Sequence, residues 1–431
     1  MLRRLDLRGL GTDDLRRRLP RPADRAEPPV DEVRTVLREV RDHGDAALRR
    51  FAERFDGVRL DDLRVPEAEV AAALDQIPGD LREALEVAHD NIAAYHTAQL
   101  GHEVVHHNGA IEIREVARPV DRAGCYVPSA LAPLVSTALM TIVPAKVAGV
   151  PEVVLASPAR PDGRVPAGIL AAAALAGADE VYRIGGPAAI GALAYGTESI
   201  RPVDVIVGPG SARVAQAKRE VAGEGLVGVP SSFAGPSEVV VVADASTPAE
   251  LAAVDVIVQA EHGPDGLAWL VTWDPAVADA VTEAVAALVP ASPRRRHLES
   301  TLAEGGYAVV CDDPAQAIAV ANAIAPEHLE LLVDDAAALV PLVRHAGAVF
   351  CGPLAPASIG DYVAGPNHVL PTHGSARFAG ALRVDDFRKH VHVVTVGDKG
   401  LAEVAPHVVT LATYEGLPAH ADSVRLRQGR A

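Results

Sequence analysis

Short runs of β-branched residues alternate with alanine-rich segments of helical length along the chain after Glu152, and this alternation most limits its possible folds. It is typical of βαβ units, in which helices join parallel strands that are buried on both faces. The strand candidates are Glu152–Ala156, Glu180–Ile184, Val203–Val207, Glu238–Ala243, Ala268–Thr272, Tyr307–Val310 and Ala348–Phe350. The helix candidates between them are Ala167–Leu175, Ala188–Tyr195, Ala212–Ala222, Pro248–Ala260, Ala276–Leu288, Ala315–Ile324 and Ala336–Arg344. We therefore predict an α/β fold with two doubly wound, Rossmann-like parallel sheets.

A cluster of proline, serine and glycine at 230–236 marks the boundary between the two predicted sheets. Before Arg122, the segments Asp31–Phe55 and Pro66–Leu100 are charged, periodic and rich in alanine and leucine, which predicts amphipathic helices. After about Ala381, the pattern predicts a return to mixed short elements.

Charge and composition argue against several classes of partner. The chain has 40 Lys and Arg against 57 Asp and Glu, a net charge of -17 and 3% aromatic residues, so we expect neither nucleic acid nor an anionic membrane as a partner. Two prolines and Lys146 interrupt the most apolar stretch, 131–150, and no secretory signal is visible. The absence of a CxxC pair predicts a soluble protein of the reducing cytoplasm, with three free cysteines: Cys125, Cys311 and Cys351.

Four neighbourhoods pair a histidine with a carboxylate or an amide. In QAEHG, Gln259 and His262 stand three residues apart at the end of a predicted helix and share a face, although such a histidine could simply complement the helix dipole. In PEHLE, Glu327 and His328 are adjacent on irregular backbone. They offer two bases of different strength, or they belong to a solvated loop.

The other two neighbourhoods lie later in the chain. Asp361 and His368 frame a Gly-Pro turn, which positions functional side chains or forms an Asx-type turn beside a packed histidine. Glu415 and His420 in YEGLPAH lie near the C-terminus, where a solvated tail is the alternative. Four of these residues offer nitrogen and oxygen ligands that suit Zn²⁺, although no spacing forces the grouping: Gln259, His262, Asp361 and His420.

Glycine-rich turns follow two of the strand candidates. GPGS at 208–211 joins a strand to a helix, and IGGP at 184–187 repeats the arrangement one unit earlier. Such glycines let phosphate oxygens approach backbone N–H groups at the positive end of a helix. Arg213 occupies the place of the third glycine in the GxGxxG pattern. The turns therefore predict a dinucleotide crevice or two tight turns with nothing bound.

A series of sequence blocks resembles the histidinol dehydrogenase family. From about Asp31 to Ser423 they run in the order FAERFD, YVPSALAPLVSTALM, AYGTES, GPGSARVAQAKR, AGPSE, QAEHG, PEHLE, GDYVAGPNHVLPT and YEGLPAH. The resemblance implies a zinc enzyme that passes two hydrides in turn to NAD and takes L-histidinol through histidinaldehyde to L-histidine. It also implies an aldehyde-dehydrogenase-like arrangement of the two sheets.

The resemblance assigns a role to each matching residue. The implied zinc ligands are Gln259, His262, Asp361 and His420. The residues implied to line the substrate, besides those ligands and His328, are Ser237, His368 and Glu415. The implied cofactor residues are Tyr126, Ala188 and Ser211. In the implied mechanism, His328, a neutral imidazole with an ordinary pKa of about 6.5, accepts the alcohol proton, and Glu327 activates water to attack the aldehyde.

The chain departs from the family pattern only near the cofactor residues. Ser129 and Ala130 stand where the family has two glycines, Ala188 replaces glutamine, and Ser211 replaces asparagine. These changes allow two predictions. Either backbone contacts still bind NAD and the changes only weaken this binding, or the chain is a paralogue that uses another cofactor or another amino alcohol. A zinc hydrolase with Glu327 as its base is a further alternative, in which the glycine-rich turns would be empty.

The resemblance also divides the predicted fold into parts. We expect an N-terminal arm at 1–30, and a metal and substrate domain made of 31–122 and 238–380. A dinucleotide-binding domain at 123–237 and a dimerisation tail at 381–431 complete the chain. The tail is expected to reach the partner subunit of a homodimer, so that two chains share each active site.

Overall fold

Strands and helices alternate through most of the chain, as the β-branched and alanine-rich runs predict. The computed structural model describes residues 1–20, 29–129, 132–231, 237–261 and 266–428. The strands are β1 (Arg3–Asp6), β2 (Val104–Asn108), β3 (Ile111–Pro119), β4 (Arg122–Tyr126), β5 (Glu152–Ala156), β6 (Glu180–Tyr182), β7 (Val205–Val207), β8 (Glu238–Ala243), β9 (Leu267–Thr272), β10 (Gly306–Val310), β11 (His328–Leu332), β12 (Ala348–Cys351) and β13 (Arg388–Val396). The α-helices are α1 (Thr12–Arg18), α2 (Val30–Phe51), α3 (Glu67–Ala72), α4 (Gly79–Ala98), α5 (Val135–Val147), α6 (Ala167–Ala176), α7 (Gly186–Tyr195), α8 (Ala212–Gly223), α9 (Ala249–Ala260), α10 (Pro275–Leu288), α11 (Arg295–Gly305), α12 (Pro314–Ile324), α13 (Ala336–Leu339), α14 (Ala357–Tyr362), α15 (Asp398–Tyr414) and α16 (Pro418–Gln428).

A six-stranded parallel sheet has the order β1-β10-β9-β8-β11-β12. Helices α9, α10 and α11 pack on the face that carries Val241 and Leu270, and α1, α12 and α13 pack on the face that carries Leu329 and Leu331. Because both faces are covered, the central strands are buried, which explains why they are continuous apolar runs.

A four-stranded parallel sheet has the order β6-β5-β4-β7. Helix α2 packs against α7 and α8, and α4 packs against α5 and α6. The apolar stripe of α2, which includes Val33, Leu37 and Val40, shares a core with Ile190 and Leu193 of α7. The two predicted amphipathic segments are therefore helical, and they pack with the sheet of residues 123–237, whereas the predicted division grouped them with 238–380.

Residues 100–120 and 388–431 form a second unit. Its antiparallel sheet has the order β13-β3-β2, and β13 pairs with β3 over nine residues. Helices α15 and α16 pack against each other. The prediction of mixed short elements after Ala381 is wrong, because RKHVHVVTV finds a long antiparallel partner in β3 and Asp398–Tyr414 continues as one helix.

The cysteines are free thiols: Cys125 and Cys311 are buried, and Cys351 is exposed. None of the helices in the described ranges has the length and hydropathy that a bilayer crossing requires.

Candidate active site

Glu327 and His328 lie at the amino edge of the six-stranded sheet. His328 begins β11 and is in register with Val239 of β8 and Ala348 of β12. Both side chains are buried. Doubly wound sheets usually bind ligands at the carboxyl ends of their strands. The two candidate bases therefore occupy the opposite edge of their sheet.

A carboxylate flanks His328 on each side of its ring. Oε2 of Glu327 lies 3.7 Å from Nδ1 of His328 and accepts a 3.0 Å hydrogen bond from the backbone N–H of Glu238. Nε2 of His328 lies 3.2 Å from Oδ1 of Asp361. The structure thus brings the two candidate bases and one candidate zinc ligand into a single cluster, in which both bases are buried and Asp361 is partly buried.

Burial and the neighbouring charges shift both candidate bases. Burial raises the pKa of Glu327 to about 7, although His328 partly offsets this effect. For His328, burial opposes the imidazolium, but the charges of Glu327 and Asp361 outweigh it and raise the pKa to about 9. Glu327 therefore exchanges a proton nearer neutrality than a free carboxyl group does, whereas His328 keeps its proton to a higher pH than the ordinary value assumed from the sequence predicts.

His368 joins the same cluster through the backbone of Asp361. Its Nδ1 donates a 2.8 Å hydrogen bond to the carbonyl oxygen of Asp361, and its Nε2 lies 3.2 Å from Oγ1 of Thr137. A neutral ring with its proton on Nδ1 accepts at Nε2, so the Thr137 hydroxyl is placed to donate. Sequence reasoning missed Thr137, whose only signal is a hydroxyl in the apolar helix α5.

Gln259 lies near the end of α9 and is buried. Its Nε2 has no hydrogen-bond partner among the described residues. A buried amide N–H without a partner lowers stability, so this position suits a side chain that interacts with a bound ligand. Ser237 directly precedes β8, and its carbonyl oxygen accepts the N–H of Leu267 at 3.1 Å. His262 lies outside the described residues.

The remaining candidates belong to the second unit. Glu415 follows the last residue of α15, His420 lies in α16, and both are exposed. Across the described ranges, no group of three or more His, Cys, Asp or Glu residues is arranged to hold a metal ion. Gln259 and Asp361 supply oxygen donors of the kind that the zinc prediction requires, and the four-ligand set stays a prediction.

A cavity of about 340 Å³ lies where the two glycine-rich turns meet. Gly186, Ala188 and Ser211 line one wall at the carboxyl ends of β6 and β7, and a π-helical turn, Ala52–Asp56, lines another. Burial raises the pKa of Asp56 to about 6. The two turns, which are separated in the sequence, therefore border one space, and two helices begin at it.

The residues that depart from the family pattern have definite contacts. The Ser211 hydroxyl accepts the N–H of Val214 at 3.4 Å and caps α8. Oγ of Ser129 donates to the carbonyl oxygen of Pro158 at 2.8 Å. Ala188 is buried against the cavity. Ala130 lies outside the described residues.

Tyr126 is buried beneath the glycine-rich turns. Its hydroxyl oxygen accepts the backbone N–H of Gly186 at 3.2 Å, and burial raises its pKa to about 12. Gly208 has a φ of 108°, and a Cβ on it would lie 2.1 Å from the carbonyl oxygen of Tyr126. Only glycine fits there, so Tyr126 and Gly208 fix the backbone of both turns.

One parallel sheet carries a buried acid–base cluster, and the other carries glycine-rich turns around a cavity. Together they define a two-sheet α/β enzyme with an acid–base centre. The sequence profile described as histidinol dehydrogenase matches residues 19–428. The chain belongs to the histidinol dehydrogenase family and is an oxidoreductase, as the sequence blocks predict.

Individual relatives agree with this assignment. The chain is 46% identical over 397 residues to histidinol dehydrogenase of Parasynechococcus marenigrum, covering 92% of this chain and 90% of that protein. It is 42% identical to histidinol dehydrogenase of Thermus thermophilus, covering 96% and 99%. The crystal structure of histidinol dehydrogenase from Elizabethkingia anophelis matches with a TM-score of 0.94 and 32% identity, covering 100% and 98%. The predicted α/β fold is confirmed.

Proposed function

We propose that this chain oxidises L-histidinol through histidinaldehyde to L-histidine, the last step of histidine biosynthesis, with NAD as hydride acceptor and a bound zinc ion. One observation carries the proposal: the cluster of Glu327, His328 and Asp361 occurs in a chain that is 46% identical to a histidinol dehydrogenase over 92% of its length. A biosynthetic enzyme that consumes NAD is expected in the cytoplasm.

In the first oxidation, the alcohol loses a proton from oxygen and a hydride from carbon. His328 accepts the proton in its neutral form, whose share grows with pH because its pKa is raised to about 9, and bound NAD would accept the hydride. Asp361 lies 3.2 Å from Nε2 of His328 and stabilises the imidazolium that results. The product of this step is the aldehyde.

In the second oxidation, water adds to the aldehyde carbon before the second hydride leaves. Glu327 takes a proton from that water, since its raised pKa makes the carboxylate a stronger base than an ordinary glutamate. The backbone N–H of Glu238 holds this carboxylate in place. The hydrate then loses a proton, and a second bound NAD would accept its hydride, which gives the carboxylic acid.

The zinc ligands in this proposal are Gln259, His262, Asp361 and His420. The carboxylate of Asp361 beside His328 supports this assignment from the first unit, and buried Gln259 would contribute its amide oxygen. Bound zinc would supply a positive charge that holds the imidazole and amine of the substrate in one pose. Ser237, His368 and Glu415 would contact the same substrate.

The NAD site in this proposal is the cavity between the glycine-rich turns. The helices α7 and α8 begin at this cavity, so the positive ends of their dipoles suit the pyrophosphate. Ala188 and Ser211 would contact NAD, and Tyr126 would act through the turn that it supports. The altered side chains are expected to weaken NAD binding, while NAD remains the cofactor.

The active site in this proposal is shared between the two chains of a homodimer. Glu415 directly follows α15 and His420 lies in α16, and both side chains are exposed. A partner subunit that receives these helices would give both side chains the fixed positions that substrate and metal binding require.

The decisive experiment incubates the purified protein with histidinol and NAD and follows reduced NAD and histidine together. Two reduced NAD per histidine support the proposal. Turnover of a different amino alcohol, with none of histidinol, would identify a paralogue. Hydrolysis without any change in the nicotinamide signal would identify a zinc hydrolase and refute the redox assignment.

A further inference from the structure

Glu330 is a buried acid that the proposed mechanism does not use. It lies two residues after His328 on β11, so both side chains point to the same face of the sheet. Its Oε1 accepts the N–H of Ala357, the first residue of α14, at 3.1 Å. Its Oε2 is also buried and accepts no N–H group within the described ranges. Burying a carboxyl group lowers stability, so Glu330 is expected to have a specific role.

Asp255 of α9 approaches the Glu330 carboxyl group from another direction. Burial and their mutual proximity raise the pKa of Glu330, and burial raises that of Asp255. Two adjacent carboxylates that are buried from solvent cannot both stay charged, so the pair shares one proton. Glu330 therefore connects β11 to two helices at one point, through Ala357 and through Asp255.

The spacing along these elements places three proposed active-site residues at one height. Stepping back from Glu330 to His328 covers two strand residues, or about 6.6 Å. Four helical residues cover about 6 Å, which is the step from Ala357 to Asp361 on α14 and from Asp255 to Gln259 on α9. The observed 3.2 Å contact between His328 and Asp361 is the result expected on α14.

Helix α14 also lies directly on the neighbouring strand. Phe350 of β12 is in register with Glu330, and a Cβ on Gly360 would lie 2.5 Å from the Phe350 ring. This close approach fixes the distance of α14 from the sheet, but a flat aromatic contact does not fix how far the helix slides along it. The hydrogen bond from Ala357 to Glu330 supplies that missing restraint.

We propose that Glu330 is a positioning residue: packed against Asp255 and bonded to Ala357, it sets the heights of α9 and α14, so that Asp361 contacts His328 and Gln259 lies at the same height. The kinetic part of this inference rests on the proposed function. The structural part concerns the contact between His328 and Asp361 and stands without a substrate.

The test compares three variants of Glu330 with a matched core variant. Glu330→Gln keeps an acceptor for Ala357 and offers an N–H to Asp255. Glu330→Leu removes both contacts, and Glu330→Asp withdraws the carboxyl group by one methylene in case the leucine variant does not fold. Val285→Ala is the control, because it lies in the same core on α10 and loses only packing.

Two readouts are needed, which are kcat with histidinol and NAD, and the ¹⁵N signals of the His328 ring, assigned by their loss in His328→Asn. We expect Glu330→Leu and Glu330→Asp to lower kcat about a hundredfold and to shift the His328 Nε2 signal, since small misplacements of reacting groups have effects of this size. Glu330→Gln should stay within about threefold of wild type, as should Val285→Ala despite its lower Tm.

Each outcome decides one question. Loss of kcat with the shifted signal, rescued by glutamine, supports the positioning role. Unchanged kcat and an unchanged His328 signal in the leucine and aspartate variants would overturn it, and so would a glutamine variant as impaired as leucine. If the wild-type protein does not oxidise histidinol, the proposed function fails. The positioning role of Glu330 is then tested by the ¹⁵N signal of His328 alone.

Discussion

The carboxylate of Glu327 accepts the backbone N–H of Glu238 over 3.0 Å, so the first residue of β8 holds the residue that precedes β11. The contact fixes this carboxylate 3.7 Å from Nδ1 of His328. Because burial raises the pKa of Glu327 to about 7, the group exchanges a proton near neutrality, as a general base must.

Replacing Glu327 by glutamine should separate the two oxidations. We expect Glu327→Gln to slow aldehyde oxidation by about a hundredfold or more, because the base for water is lost, while His328 still serves the alcohol step. The two half-reactions are measured separately, with histidinol and with histidinaldehyde. Exposed Glu250→Gln is the control for the substitution itself. Equal losses in both half-reactions would reject the role given to Glu327.

Metal content tests the proposed ligand set. Protein purified without chelator should contain a divalent ion, and its removal should abolish activity and lower Tm. Restored zinc at about a hundred times its Kd should add about 2.7 kcal/mol to the free energy of unfolding. Gln259→Leu should lose this response. If the protein contains no metal and added zinc changes neither Tm nor activity, the site does not exist.

Ala188 offers a direct test of the NAD cavity. Ala188→Gln adds a donor and an acceptor to the cavity wall, and a hydrogen bond of about 1 kcal/mol would lower the Kd for NAD about fivefold. Titration with NAD, followed by calorimetry, measures this change. Glu250→Gln is the control, because Glu250 is exposed and does not line the cavity. It should leave the Kd for NAD unchanged, and an equally unchanged Kd in Ala188→Gln would show that this wall does not contact the cofactor.

Lys218 should make stability depend on pH. Its Nζ is buried, donates to the carbonyl oxygen of Gly208 and lies 3.4 Å from Oγ of Ser231. Burial lowers the pKa of Lys218 from 10.5 to about 7. Between these values the folded chain has released a proton that the unfolded chain still binds, so this group makes stability rise with pH.

Urea unfolding from about pH 7 to 9 checks this effect. The free energy of unfolding of wild type, relative to that of Lys218→Met, should increase with pH across this window. Other titrating groups are common to both proteins and cancel in the difference. A difference that stays constant or falls with pH would show that the pKa of Lys218 is not lowered.

Mixing two inactive variants tests the shared site. Glu415→Ala and His328→Ala homodimers should both be inactive, because each lacks one part of every site. After subunit exchange, each mixed dimer would carry one intact site, so activity should return to at most about a quarter of wild type for random assortment. Demonstrated exchange without recovered activity would mean that each chain has a self-contained site.

The sequence alone could predict what depends on neighbours along the chain. Alanine-rich helices and β-branched strands such as Glu238–Ala243 follow from local periodicity, as do the glycine-rich turns at 184–187 and 208–211. The family followed from motifs that are contiguous in sequence. Side-chain spacing within one element is set by its own backbone geometry, so these features need no tertiary information.

Tertiary contacts decided the rest. The segment HLELL fits a helix as well as a strand, and it is β11 because β8 and β12 flank it. RAGCY lacks β-branched residues, yet it forms β4 between β5 and β7. Asp255 and Glu330 carry no sequence signal, and Thr137 carries only that of a hydroxyl in an apolar helix, since their partners lie far away in the chain. The amino-edge position of His328 likewise arises only when distant strands align, because register is a property of the assembled sheet.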